Sequence, residues 1–154
     1  TPRPVGKVAS GGELSRIALA ISVVTSQLGT AQTLIFDEVD AGVGRAVAET
    51  VGRMMKQLGL DRQVLAVTHL PQVAACADQH LVVAKQLQGK STESSVSQVV
   101  NSDRVNEIAR MLGGAQVTDA TLAHATEMIA VQAINTPART IFISKTALKS
   151  KIPA

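Results

Sequence analysis

Apolar residues recur at helical spacing in two long segments near the beginning of the chain. The first runs from Gly11 to about Leu28 and is followed by Gly29, and the second runs from Arg45 to about Leu58 and is followed by Gly59. In both segments the apolar side chains fall three and four residues apart, which places them on one helical face. Because glycine commonly follows the end of a helix, the pattern predicts two amphipathic helices with these boundaries.

Short apolar runs between and after these helices predict the strands. Thr33–Phe36 and Gln63–Thr68 have the continuous apolar character of buried strands. His80–Leu87 and Ser94–Val100 are expected to form an antiparallel hairpin around Gly89. Because helices and strands alternate before the hairpin, we predict an α/β fold with a mostly parallel sheet, flanking helices and a small hairpin.

Three further helices are expected in the second half of the chain. They cover Pro71–Ala77, which has proline in its first turn, then Asp103–Leu112, and finally Asp119 to about Ile134. Beyond this point the periodicity fades. We therefore assign residues 1–134 to one lobe and residues 135–154 to a basic tail without regular structure.

The net charge of +3 comes from the predicted tail. Four basic residues lie there with no acidic residue, namely Arg139, Lys145, Lys149 and Lys151. The rest of the chain carries 11 basic residues against 12 acidic ones and is nearly neutral. The basic balance is therefore weak evidence for a DNA-binding face.

Cysteine content and apolar run length indicate where the protein resides. Cys76 is the sole cysteine, so no internal disulfide can form, which suits a reducing cytosol. The longest apolar run, Ile17–Val24, is interrupted by Ser22 and is too short to span a bilayer. We expect a cytoplasmic protein, and because Thr1 is not a natural start residue, we expect a fragment of a longer one.

Two adjacent glycines occur where the first predicted helix begins, in the sequence Ser10-Gly11-Gly12-Glu13. Ser10 and Glu13 have the spacing of a capping box, and helix capping alone accounts for both. Glycine costs about 1 kcal/mol relative to alanine in a helix, so capping does not account for the glycines. The N–H groups at a helix start bind anions, and glycine lets a phosphate approach closely. Capping and phosphate binding are compatible in one turn.

Two acidic residues, Asp37 and Glu38, follow the strand Thr33–Phe36. In open α/β sheets, ligands bind beyond the carboxyl ends of the strands. In a functional interpretation Asp37 holds Mg²⁺, directly or through water, and Glu38 positions or deprotonates an attacking water. The alternative is a pair of solvated turn acids.

Asp40 and His69 each lie shortly after a predicted strand. Asp40 lies in a turn with Gly42 and Gly44 and is either an ordinary turn residue or part of a loop that closes against a second subunit. His69 ends the next strand and is either structural or a hydrogen-bonding partner of a γ-phosphate or the attacking water.

The order of these motifs resembles the C-terminal half of an ABC-type ATPase head. The segments ASGGELSRIALA, TLIFDEVDAGVG, VLAVTHLPQVAACAD and EIARMLGG are similar to the RecN family of bacterial DNA repair proteins, which are relatives of the SMC proteins. The resemblance covers about Val5 to Ala130. The tail from about Gln132 does not resemble the family.

The resemblance implies that Ser10, Gly11, Gly12 and Glu13 form the signature motif. In this family, that motif contacts the γ-phosphate of an ATP held by the other subunit. The two glycines would then let the partner's nucleotide approach the helix start, and ATP would bridge two heads in a homodimer.

The resemblance also implies roles for the acidic residues and the histidine. Asp37 matches the Walker B acid that binds Mg²⁺, and Glu38 matches the catalytic glutamate. Asp40 matches the D-loop acid, and His69 matches the switch histidine.

The resemblance further implies an ATP hydrolase that uses ATP and Mg²⁺ and acts on DNA in double-strand break repair and recombination, near the nucleoid. The Walker A loop, G-x-x-x-x-G-K-[ST], is absent from the sequence. Gly89-Lys90-Ser91 resembles its end, but the first glycine of the motif would have to be at position 84, which is Ala84. We therefore expect the chain to be the second head lobe, completed by an N-terminal lobe with Walker A. Alone, it should show weak or no ATP binding and no useful turnover.

Three other functions remain open at this level. The chain would be a non-catalytic dimerisation or docking module of the same fold if Asp37 and Glu38 were ordinary turn residues. It would belong to a compact ABC ATPase unrelated to DNA if a Walker A loop lay close upstream. A metal-dependent hydrolase using Asp37, Glu38 and His69 would leave the glycine pair unexplained.

Overall fold

The computed structural model describes most of the chain and bounds its helices and strands. The described residues are 13, 17, 19–21, 24–25, 30–37, 40, 43–88, 91–114, 116–133 and 139–146. Their strands are β1 (Thr33–Phe36), β2 (Gln63–Val67), β3 (Gln79–Gln88), β4 (Ser91–Val99) and β5 (Thr140–Thr146). Their helices are α1 (Arg45–Leu58), α2 (Pro71–Ala74), α3 (Asn101–Gly113) and α4 (Asp119–Gln132). Within these ranges, no helix is long and apolar enough to cross a membrane.

The first predicted helix is described only in part. Residues 13, 17, 19–21 and 24 have helical backbone, which agrees with the prediction. Thr25 is in a turn, and the remaining residues of that segment, Gly11 and Gly12 among them, lie outside the described part of the chain.

The five strands form one sheet in the order β1-β2-β5-β3-β4. β1 pairs with β2, β2 with β5 and β5 with β3 in parallel, and β3 pairs with β4 in antiparallel orientation. The predicted α/β fold with a mostly parallel sheet and a small hairpin is therefore confirmed.

The central position of β5 corrects the prediction for the tail. The sequence predicts no regular structure over residues 135–154, and this is wrong for residues 140–146, which lie between β2 and β3. Thr140, Phe142 and Ser144 of this strand are buried. The run 141–143, Ile-Phe-Ile, does have the apolar character of a buried strand, but it is short and lies among the polar and basic residues of the tail, which obscure it in the sequence.

The other element boundaries agree with the predictions within a few residues. α1 has the predicted bounds, with Gly59 as its C-cap. α2 ends three residues early, at Ala74. The hairpin is longer than predicted, because residues 91–93 already pair with residues 86–88 of β3.

The main core packs helices α1 and α2 against the sheet. Phe36, Val64 and Phe142 come from β1, β2 and β5, and all three belong to one cluster of buried side chains with residues of α1 and α2. Gly52 of α1 permits a close approach to α2 and the turn after it, because a Cβ there would lie 3.2 Å from Val73 Cα and 2.7 Å from Cys76 Sγ. This packing holds β1, β2 and β5 side by side, so that their carboxyl ends share one edge of the sheet.

Candidate functional site

A recess lies at the carboxyl ends of β1, β2 and β5. Asp37 directly follows β1, His69 lies two residues beyond β2, and Lys145 is the penultimate residue of β5. The recess has a volume of about 140 Å³, and it is lined by Asp37, Asp40, Val67, Thr68, His69 and Lys145. Parallel α/β sheets bind ligands at this edge, and Asp37, Asp40 and His69 lie there together, as the order of the strands predicts.

Asp40 is the buried anchor of the recess. Its side chain is 1% exposed, and its Oδ2 accepts hydrogen bonds from the Thr68 hydroxyl and, at 3.1 Å, from the His69 main-chain N–H. The Asp40 carbonyl accepts a further hydrogen bond of 3.1 Å from the Val43 N–H. The Asp40 carboxylate therefore links the loop after β1 to the end of β2.

The His69 ring lies beside this carboxylate and faces solvent. Its Nδ1 is 3.4 Å from Asp40 Oδ1, and its side chain is 70% exposed. A carboxylate on one side of an imidazole fixes the ring orientation and leaves the other nitrogen available to a ligand. The arrangement suits hydrogen bonding between His69 and a group that enters the recess.

Thr68 holds Asp40 and the main chain at Leu70 in place, and its role is not predicted from the sequence. Its hydroxyl donates to Asp40 and accepts a 3.1 Å hydrogen bond from the Leu70 N–H. Its own N–H donates at 2.9 Å to the Ile143 carbonyl of β5, which extends the sheet ladder beyond β2. A threonine directly before a strand-end histidine was visible in the sequence, but its link to Asp40 joins residues 28 positions apart.

The remaining predicted residues are placed in different ways. Asp37 is exposed at the recess. Glu13 is helical and exposed, and it is not part of the recess lining. The catalytic glutamate predicted at Glu38 and the signature residues Ser10, Gly11 and Gly12 lie outside the described residues, so their roles stay predictions.

The donor set of the recess fits Mg²⁺ as part of a complex with phosphate. Across the described ranges, no group of three or more His, Cys, Asp or Glu side chains is placed to hold a metal ion by itself. Mg²⁺ takes oxygen ligands and commonly uses one or two carboxylates together with water and substrate phosphates. Asp37 supplies such a carboxylate, and Asp40 contributes negative charge behind it.

A second polar cluster, unpredicted from the sequence, joins β3, β5 and α3. Ser144 Oγ donates to Glu107 Oε1 at 2.6 Å and lies 2.9 Å from His80 Nε2. Arg110 Nε and Nη2 each donate to Glu107 at 2.7 Å. Because the serine hydroxyl donates to glutamate, His80 Nε2 must carry the proton in this contact, which is opposite to the arrangement of a histidine base activating serine.

Burial and hydrogen bonding determine the protonation of this second cluster. Burial lowers the pKa of His80 to about 4, and the charge of Arg104 contributes to the same shift, so the ring is neutral. Burial alone would raise the pKa of Glu107, but hydrogen bonds from Arg110 and Ser144 outweigh it and the pKa is lowered. With His80 and Ser144 each 1% exposed, the cluster is a structural connection and is closed to substrates.

A larger cavity, of about 250 Å³, lies between α1, α2 and α4, away from the predicted site. Its lining consists of Glu49, Gln72, Ala75, His124, Glu127, Met128, Val131 and Gln132. None of the residues predicted for catalysis or binding lines it, so size alone does not select the functional site.

Comparison with known proteins relates the chain to a family. No family model matches the chain. The DNA repair protein RecN of Vibrio cholerae is 50% identical over 127 residues, which is 82% of this chain and 23% of that protein. RecN of Haemophilus influenzae is 47% identical over 128 residues, and RecN of Bacillus subtilis is 45% identical over 127 residues. This chain is homologous to a segment of the RecN family. It spans less than a quarter of the length of these relatives, with 23% of the first two and 22% of the third covered.

A solved structure agrees with this relationship at the level of the fold. One solved structure is described as structural biochemistry of ATP-driven dimerization and DNA-stimulated activation of SMC ATPases. It superposes on this chain with a TM-score of 0.51. The match covers 71% of the RecN-like chain and 66% of the SMC ATPase chain, at 20% identity. At that identity the likeness shows a shared α/β head fold and no more.

Proposed function

We propose that this chain is the C-terminal ATPase head lobe of a RecN-like protein that acts in DNA double-strand break repair and recombination. The observation that carries the proposal is the recess, where Asp37, Asp40 and His69 lie together at one edge of the sheet. These are the residues to which the RecN resemblance gives the Walker B, D-loop and switch roles. The homology to RecN proteins and the SMC-type fold support the same function.

In the proposed reaction the chain's own residues orient the nucleotide and a water molecule. Asp37 would hold Mg²⁺, which neutralises phosphate charge when bound. Glu38 would accept a proton from the attacking water, and the His69 imidazolium, held at Nδ1 by Asp40, would donate a hydrogen bond from Nε2 to the γ-phosphate. The signature residues Ser10, Gly11, Gly12 and Glu13 would contact nucleotide held by a partner head.

The proposal also names what the lobe needs from outside. A homodimer would form through the composite ATP site, and an N-terminal head lobe with Walker A would bind the α- and β-phosphates. ATP binding would join two heads on DNA and hydrolysis would release them. The protein would work in the cytoplasm, at the nucleoid.

The replacement Glu38→Gln in the intact protein tests the reaction. It keeps the size and polarity of the side chain but removes the base, so we expect ATP affinity within about threefold of the wild type and turnover reduced at least about a hundredfold. Glu93→Gln is the control, because Glu93 is exposed on β4, the strand at the opposite edge of the sheet from β1. Turnover by Glu38→Gln equal to that of Glu93→Gln would refute the catalytic role.

A further inference from the structure

The cavity between α1, α2 and α4 carries negative charge that no basic residue of its lining balances. Glu49 lies on α1 and Glu127 on α4, and none of the described residues that line the cavity is a lysine or an arginine. Its volume is about 250 Å³. Pockets for drug-sized ligands measure roughly 300–1,000 Å³, so this cavity suits a smaller cationic group or a single side chain.

Glu49 retains one carboxylate oxygen for a ligand. Its Oε1 accepts hydrogen bonds from Arg53 Nη2 at 2.6 Å and from Gln132 Nε2 at 3.0 Å. Its Oε2 accepts none from the part of the chain that the structure describes. Because the Arg53 side chain is 57% exposed, solvent screens its charge and the charge of Glu49 is only partly offset.

Gln72 adds an acceptor that the fold leaves unsatisfied. It lines the same cavity, and its Oε1 is buried without a hydrogen-bond partner among the described residues. An unpaired buried acceptor is unfavourable, and the terminal torsion of a glutamine side chain has a broad range of accessible angles. A hydrogen-bond donor held in the cavity can therefore pair with this oxygen.

The rest of the lining selects a class of ligand. Ala75, Met128 and Val131 contribute apolar surface beside the carboxylates. Glu49 and Glu127 would repel an anion, and in the described ranges no group of three or more His, Cys, Asp or Glu side chains is placed to hold a metal ion. An alkylguanidinium fits both parts of the lining, because its planar head offers several donors and its methylene stem packs on apolar surface.

We propose that this cavity binds an alkylguanidinium group, which belongs either to a small molecule or to an arginine side chain of a partner protein. The guanidinium head would donate hydrogen bonds to Glu49, Gln72 and Glu127, and the stem would contact Met128. Since these residues lie on α1, α2 and α4, away from the recess, the proposal does not depend on the ATPase function.

Methyl NMR of the intact protein with isotope-labelled methionine tests the binding. Butylguanidinium should shift the Met128 signal in a saturable way, with a dissociation constant on the order of 1 mM. Met111 is the internal control, because it lies on α3 outside the lining. Butanol and butyrate should give no saturable shift, and butylammonium should bind at least about threefold more weakly because it has fewer donors.

Two results of this titration would overturn the proposal. One is the absence of a saturable shift at Met128 with butylguanidinium. The other is a neutral, anionic or ammonium ligand that binds as tightly as butylguanidinium, since the cavity would then not recognise the guanidinium head.

Variants locate the binding. Glu127→Gln should weaken butylguanidinium binding about threefold, and Gln72→Leu, which removes the unpartnered oxygen and keeps a similar size, should do so by a similar factor. The Glu127 side chain is 76% exposed, so Glu127→Gln should remain folded, as thermal melts can verify. Glu93→Gln, on β4 and outside the lining, should bind like the wild type. Unchanged affinity in both cavity variants would refute this site.

Peptide ligands distinguish the two sources of the guanidinium. The peptide acetyl-Gly-Arg-Gly-amide should bind at least as tightly as butylguanidinium if the occupant is a side chain of a protein, and more weakly if it is a small molecule. Both results support the site. The same peptide with citrulline in place of arginine has a similar shape but no charge. If both peptides shift the Met128 signal equally, the proposal is contradicted.

Discussion

Asp40 and Glu107 are both buried carboxylates, but their surroundings differ in charge and in access. Glu107 accepts two hydrogen bonds from the Arg110 guanidinium and one from Ser144, so a cation of the fold itself balances its charge. Asp40 accepts hydrogen bonds from neutral donors, and its ionisable neighbour is the imidazole of His69, which is 70% exposed. Glu107 belongs to a closed cluster, whereas Asp40 borders an open recess.

The difference shows that burial of a charged group does not by itself identify a ligand site. A buried carboxylate that is paired with a cation of the same protein has its charge and its hydrogen-bonding capacity balanced within the fold. Such a pair links two elements, and geometry determines whether it raises or lowers the free energy of unfolding. A buried carboxylate that instead orients an exposed side chain leaves hydrogen-bonding capacity for a ligand. By this criterion Glu107 has a structural role, and the functional role that we propose for Asp40 is the one to be tested.

The largest effect expected from this comparison comes from Glu107→Ala. The replacement leaves Arg110 without its carboxylate partner and Ser144 without its acceptor, so it should lower the free energy of unfolding by about 3 kcal/mol. Equilibrium urea unfolding of the chain, followed by circular dichroism, measures the change. Glu127→Ala is the control, because the Glu127 side chain is 76% exposed and its loss should cost less than about 0.5 kcal/mol. Equal effects of the two replacements would contradict the structural role of Glu107.

The second effect, of about 2 kcal/mol, is a dependence of stability on pH that originates in His80. Its pKa of about 4 in the fold lies below its ordinary value of 6.5, so between these values the unfolded chain takes up a proton that the folded chain does not. Stability should therefore fall by about 2 kcal/mol as pH decreases from 7.5 to 5. The lowered pKa of Glu107 adds a further loss in the same direction, but below its ordinary value of 4.5.

Urea unfolding at closely spaced pH values detects this dependence. His80→Gln keeps a side-chain donor toward Ser144 and removes the ionisable ring, so it should flatten the decline between pH 7.5 and 5. His124→Gln alters a histidine that is 58% exposed on α4 and should leave the decline in place. A decline that persists in His80→Gln would assign the pH dependence to other groups.

The contrast between the two clusters also explains what the sequence could predict. Asp37, Asp40 and His69 each follow an apolar run that was recognisable as a strand, and parallel strands bring their carboxyl ends to one edge. Their common location could therefore be inferred from order along the chain. The exposed position of Asp37 and the burial of Asp40 could not, because they depend on what packs against the loop.

Other features depended on contacts between distant segments. Ser144 meets Glu107 and His80 at separations of 37 and 64 residues, and no local pattern marks any of the three. The same holds for Lys145, which lay in a segment predicted to be irregular. Once β5 was missed, every interaction that its residues make was missed with it.

The smallest stability effect, and the sharpest test of the comparison, is a matched pair of neutral replacements. Asp40→Asn keeps one side-chain oxygen, which can accept both hydrogen bonds that reach Oδ2, from the Thr68 hydroxyl and the His69 N–H, so it should cost about 1 kcal/mol. Glu107→Gln leaves a positive guanidinium beside a neutral amide and should cost about twice as much. Urea unfolding of both variants compares the free energies directly.

Function should show the opposite order in this pair. In the intact protein, Asp40→Asn should reduce ATP turnover at least about tenfold because the His69 ring loses the carboxylate that orients it, whereas folded Glu107→Gln should keep turnover within about twofold. If Asp40→Asn lost more stability than Glu107→Gln and no activity, the recess carboxylate would be the structural one. An exposed neighbouring side chain would then not distinguish a functional buried carboxylate from a structural one. The distinction would require measurement of both the free energy of unfolding and ATP turnover.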